Sequence, residues 1–132
     1  MKYFLDTNII SYILNGNANV KSQIEKLILN GDEFSIPIFS YYEIKRGLLA
    51  VNATSKLVLF DNFVKVWGLT DISLATYDLA ANVYAKLKKQ GAIIEDADLF
   101  IGCSALENNA VLISNNIKHL GRIPNLQIKV VN

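Results

Sequence analysis

The chain has 132 residues, 52% of them hydrophobic and 19% charged, with a formal net charge of +1. That length suits a single domain with a real core, and the composition is too apolar for a disordered protein. A charge near neutrality gives no bulk sign of a non-specific nucleic-acid binder, which carries a strong basic excess, although a local basic patch would suffice.

The first apolar run, Tyr3-Phe4-Leu5, reads as a buried strand that ends at Asp6. Ile9–Leu14 and Val20–Leu29 read as helices split by the breaker Asn15-Gly16-Asn17, with Asn8 as N-cap of the first. Phe34–Phe39 reads as a second strand, and Pro37 inside it suggests an edge or irregular position. Ser40 opens a helix toward Leu49. Ser55–Val66 has Leu57, Phe60, Phe63 and Val64 at helical spacing. Gly68–Ile72 holds a short strand, and Leu74–Lys89 is a long amphipathic helix stopped at Gly91. A helix from Asp96 or Ala97 runs to Glu107, and strands follow at Val111–Ser114 and Gln127–Val131. Strands alternating with helices imply a mostly parallel sheet in a three-layer α/β/α sandwich. Charges interrupt every long apolar stretch, as Asp61 and Lys65 do mid-chain, so no membrane span is expected; Asp6 likewise breaks any secretory signal. The single cysteine, Cys103, precludes an intrachain disulfide and suits a reducing cytoplasm. Its apolar neighbours point to packing and not to a nucleophile paired with His119.

Asp6 stands where a strand hands over to a helix, the place where ligands collect in open α/β sheets. Glu43 lies one turn into the helix after the second strand, which brings it to the same edge. It also completes a capping box with Ser40, and the two roles compete for one carboxylate. Glu95, Asp96 and Asp98 crowd the start of a later helix. Acids there favour the helix dipole, yet one would serve, and packed like charges call for a cation. Ser114-Asn115-Asn116 repeats the pattern of an apolar strand running into polar residues, as turn formers or as neutral ligands. Gathered in one crevice, these groups would form an oxygen-rich pocket selecting Mg²⁺ or Mn²⁺ over zinc. Lys45, Arg46, Lys118 and Arg122 follow these motifs and either flank the crevice, where they would contact phosphates, or sit on solvated helix faces.

Leu5-Asp6-Thr7-Asn8, Glu43 with Gly47, Asp96-Ala97-Asp98-Leu99-Phe100-Ile101, and Leu112–Asn116 with His119-Leu120-Gly121-Arg122-Ile123-Pro124 together resemble PIN-domain ribonucleases. The similarity is strongest to the toxin subunits of VapBC toxin–antitoxin pairs, and it covers nearly the whole chain. It implies one PIN-like nuclease domain over residues 1–132, with Asp6, Glu43 and Asp98 as the acidic triad and Ser114 at a serine-or-threonine position. Many members carry a fourth acid where this chain has Asn116; Asp96 or Glu95 would supply that charge, and a second ion would bind near Asp98 and Asp96. Leu120 replaces a usual phenylalanine, and a common terminal tryptophan is missing.

The resemblance further implies metal-dependent hydrolysis of RNA leaving a 5′-phosphate. It implies a small antitoxin with a DNA-binding domain whose tail enters the groove, and a homodimer or toxin–antitoxin hetero-oligomer. Phe60, Phe63, Val64 and Trp67, or Tyr77 and Tyr84, would pack between subunits or within the core. Other readings are an inert PIN-like interaction module, a structure-specific DNA nuclease, and a phosphatase with Asp6 as nucleophile. A dinucleotide-binding Rossmann domain is disfavoured because no G-x-G-x-x-G follows the first strand.

Overall fold

A computed structural model describes residues 1–131. Five strands run all parallel in the order β3-β2-β1-β4-β5: β1 (Lys2–Leu5), β2 (Glu33–Pro37), β3 (Leu69–Thr70), β4 (Val111–Ile113) and β5 (Ile128–Lys129). The helices are α1 (Thr7–Leu14), α2 (Ala18–Leu29), α3 (Ile38–Ala50), α4 (Thr54–Trp67), α5 (Leu74–Lys89), α6 (Asp96–Glu107) and α7 (Ile117–Leu120). The expected three-layer α/β/α architecture is therefore the one observed.

Alternation along β1 divides the core. Tyr3 and Leu5 point into the layer built by α1, α2, α3 and α4, with Ile9, Ile10, Ile24, Ile44 and Phe60. Phe4 points the other way, onto Ala80, Val83 and Leu87 of α5 and Leu99, Ile101 and Cys103 of α6. The central strands are buried on both faces, which explains their uninterrupted apolar runs.

The chain leaves β1 toward β2 on one side, while β4 lies on the other side of β1. The sheet thus has its switch point between β1 and β4, and a crevice opens there at the carboxyl ends of the strands. Leu5 pairs with Ile113, so the next residues, Asp6 and Ser114, emerge side by side at its mouth.

Several local expectations are corrected. Asp6, not Asn8, caps α1: its carboxylate accepts from Thr7 N at 2.8 Å, and Asn8 lies exposed inside the helix. Pro37 is not on a sheet edge. It ends β2, which lies between β1 and β3, and it serves as the N-cap of α3, where its missing N–H costs nothing. The Ser40–Glu43 capping box does not form, because α3 begins two residues earlier at Ile38; Ser40 is sealed inside with its hydroxyl unpartnered. Phe60 belongs wholly to the core, and Phe63, Val64 and Trp67 pack against it, whereas Tyr77 and Tyr84 remain exposed. Cys103 is buried, and burial pushes its thiol up to about 11, which makes it an inert packing group. Among the described residues no helix is long and apolar enough to cross a membrane.

Candidate active site

The crevice is built from the ends of β1 and β4, the first turn of α6 and the second turn of α3. Asp6 is only 4% exposed, and its two oxygens are held separately. Oδ1 accepts from Thr7 N at 2.8 Å, and Oδ2 accepts from the Ser114 hydroxyl at 2.6 Å. The position at the start of α1 favours an anion through the helix dipole. Burial nonetheless pushes the Asp6 carboxyl above its ordinary range; the Ser114 and Thr7 hydrogen bonds pull it down, and the charges of Asp98 and Glu43 push it further up.

Glu43, freed from capping, reaches from α3 toward α1. Its Oε1 accepts from the Thr7 hydroxyl at 2.6 Å, and its Oε2 lies 3.8 Å from Arg46 Nη2. Asp98 projects from the first turn of α6. Its Oδ2 accepts from Asn116 Nδ2 at 3.3 Å and lies 3.7 Å from His119 Nδ1. Burial raises the Asp98 carboxyl; His119 and Asn116 oppose that rise, and Glu95 and Glu43 add to it. Asp6, Glu43 and Asp98 therefore sense one another across a single crevice.

The remaining expected residues divide. Ser114 is buried; beyond donating to Asp6, its oxygen accepts from Asn116 N at 3.0 Å, which ties the β4 loop to the carboxylate. Asp96 points elsewhere, toward a cavity beside Tyr77, Tyr84 and Phe100, and Glu95 takes its place as the nearby extra charge on Asp98. Lys45 pairs with Asp61 of α4 at 3.6 Å and so faces away from the acids. Arg46 sits at the rim, against Glu43 and over the Tyr42 ring at 5.0 Å. Arg122 Nη1 donates to the carbonyls of Ala92 and Ile93, both at 3.3 Å, and so ties down the loop before α6. Lys118 is exposed on α7. Thr7 and His119 are site residues that the sequence reading missed. Thr7 adjoins Asp6 and its hydroxyl gave the available signal; His119 lies in the motif that carried the resemblance.

The donor set is hard oxygen, with the Asp6 and Asp98 carboxyls raised first by burial and then by neighbouring acids, and no lysine or arginine against either among the described residues. That chemistry fits a hard divalent cation. Among the described residues no three acidic, histidine or cysteine side chains form a compact cage by themselves, so such an ion would keep waters in its shell.

Fold and site together define an α/β protein with an acid-lined crevice at its topological switch point. The chain belongs to the PIN domain family, whose model matches residues 3–125. It is 33% identical over 131 residues to "Ribonuclease VapC1" of Haemophilus influenzae strain R2866, covering 96% of both chains. It is 31% identical to "Ribonuclease VapC2" of Rickettsia felis over 96% of this chain and 95% of that one. A chain of the crystal structure of VapBC2 from Rickettsia felis bound to a DNA fragment from their promoter superposes with a TM-score of 0.87 at 30% identity, over the full length of both. A chain of VapBC-1 from nontypeable Haemophilus influenzae gives 0.87 at 29% identity over 98% of each.

Proposed function

We propose that this protein is an endoribonuclease, the toxin of a toxin–antitoxin pair, that hydrolyses RNA phosphodiester bonds with Mg²⁺ or Mn²⁺ as cofactor. The observation that carries the reading is the convergence of Asp6, Glu43 and Asp98 in one crevice, each held by a different donor. The relatives named as VapC ribonucleases, matched over nearly the whole chain, support the substrate class.

Asp6, Glu43 and Asp98 would hold the ion, with Glu95 near enough to add charge. When bound, such an ion supplies Lewis acidity toward water and the phosphate oxygens. Ser114 and the Thr7 amide fix Asp6 so that its rotamer is set before substrate arrives. The Thr7 hydroxyl does the same for Glu43, and the Asn116 amide for Asp98. Such outer partners hold ligands within tight limits and are worth about 10–100-fold in affinity or activity. Arg46 screens Glu43 at the rim and is exposed enough to turn to an incoming phosphate. Hydrolysis by water leaves a 5′-phosphate and does not enlist the ribose 2′-OH.

The VapBC complexes among the structural relatives support a small antitoxin partner with a DNA-binding domain. The exposed Tyr77 and Tyr84 offer a surface for a homodimer or a larger assembly. The deciding experiment is cleavage of single-stranded RNA by purified protein in chelator, then with Mn²⁺ or Mg²⁺ restored. Activity should vanish and return. Cleavage that persists in chelator would overturn the cofactor assignment, and metal-restored cleavage of DNA but not RNA would overturn the substrate class.

A further inference from the structure

Beside the acid crevice lies a second hollow with a different character. It has a volume of about 170 Å³ and opens between α1, α3 and the start of α4. Glu43 and Thr7 form its near wall, so it is continuous with the acid centre. Leu14 and Leu48 give it apolar sides, while Ser11, Asn15 and Lys56 line it with polar groups. Lys56 Nζ donates to Asn15 Oδ1 at 2.6 Å, a bond between residues 41 apart that closes the far rim. Lys56 has no carboxylate partner among the described residues, so its charge stands un-neutralised in a hollow whose lining also holds Glu43.

We infer that this hollow is a nucleotide subsite: it takes one unstacked pyrimidine base of the RNA strand, next to the phosphate presented to Asp6, Glu43 and Asp98. The assignment rests on the ribonuclease reading and deepens it. Single-stranded RNA is recognised through bases splayed out of the stack, held against apolar walls and read at their edges. An apolar hollow with a few convergent polar groups is the usual form of such a site. Its volume sets the size class, because a cavity of about 150 Å³ holds one six-membered aromatic ring. A single pyrimidine ring matches that volume, whereas the two fused rings of a purine would project beyond it into solvent. Ser11 lines the hollow, where its hydroxyl would meet a base edge. Lys56 at the rim supplies the counter-charge for the flanking phosphate, which the acids alone would repel.

Gly47 provides the test. It lines the hollow, and a Cβ added there meets no atom within 4 Å, so a larger side chain is directed into the open space of the hollow. Replacing a glycine inside α3 also raises helix propensity, so Gly47→Leu should melt at or above the wild-type temperature. The experiment maps cut sites and rates on a randomised single-stranded RNA pool, with Mn²⁺, for wild type, Gly47→Leu and Lys56→Gln. Wild type should cut with a pyrimidine enriched at one fixed position beside the break. Gly47→Leu should lose that enrichment and lower kcat/KM on the order of tenfold, mainly through KM. Lys56→Gln should raise KM while keeping the base preference. Unchanged cut sites and rates in Gly47→Leu would overturn the subsite and leave the ribonuclease reading intact. A wild type that cuts no RNA would overturn both.

Discussion

The two sides of the Leu5–Asp6 junction obey opposite rules. Leu5 is sealed among Ile9, Ile10 and Ile113, where every neighbour stabilises every other. Asp6, one residue later and nearly as buried, has its carboxyl raised by that burial and further by the charges of Asp98 and Glu43. The core is arranged for stability. The crevice stores repulsion that a cation, a phosphate-bearing partner or a proton relieves. Substitutions should therefore part company: in the core they cost stability and spare the chemistry, and in the crevice they do the reverse.

Four predictions probe that contrast. Phe60 is fully buried and stacks on Tyr41 at 5.7 Å, so Phe60→Ala should cost about 3–5 kcal/mol in urea unfolding. Its cleavage per folded molecule should stay near wild type; a specific loss of activity would blur the division. Asp6→Asn keeps one acceptor oxygen for the Thr7 amide, turns the other position into an NH2 that the Ser114 hydroxyl must accept from, and removes the charge. It should lower RNA cleavage on the order of 100- to 1000-fold and leave the unfolding midpoint equal or higher. In the ion-free protein the raised Asp6 carboxyl binds its proton more tightly than the unfolded chain does. Its stabilising share is therefore complete below about pH 4 and fades as pH rises through the raised value. Denaturation across that range should show a flatter pH dependence in Asp6→Asn; a parallel curve would remove Asp6 as its source.

Ser114→Ala should reduce cleavage about 10–100-fold by freeing the Asp6 rotamer. An equal loss in Ser114→Thr would mean that the site needs the volume and not the hydroxyl. The smallest expected effects separate two cations that sit four residues apart. Arg122→Ala breaks the hold on Ala92 and Ile93 and should cost about 1 kcal/mol of stability with the salt dependence of RNA binding unchanged. Lys118→Ala should leave stability alone and reduce the salt slope by about 0.7 if it meets one phosphate. A reversed outcome would exchange their roles.

The sequence displayed the central strands and long helices plainly, because burial on both faces writes continuous apolar runs and α5 writes a clear helical stripe. What it hid depended on competition between local and distant partners. Ser40-x-x-Glu43 is a valid local cap, yet β2 feeds α3 directly at Pro37 and leaves Glu43 free for Thr7, 36 residues away. Lys45 and Arg46 are neighbours in the chain, but 100° of helical rotation sends one to Asp61 and the other to Glu43. Asp96 and Asp98 are separated in the same way, one toward α5 and the other into the crevice. The four-residue α7, which carries His119 beside Asp98, is too short to leave a periodic signal.

The Ser114–Asp6 bond joins residues 108 apart and spans most of the chain. During translation the first carboxylate leaves the ribosome long before the strand that completes its cradle. Most of the polypeptide is thus made before the two walls of the crevice can meet.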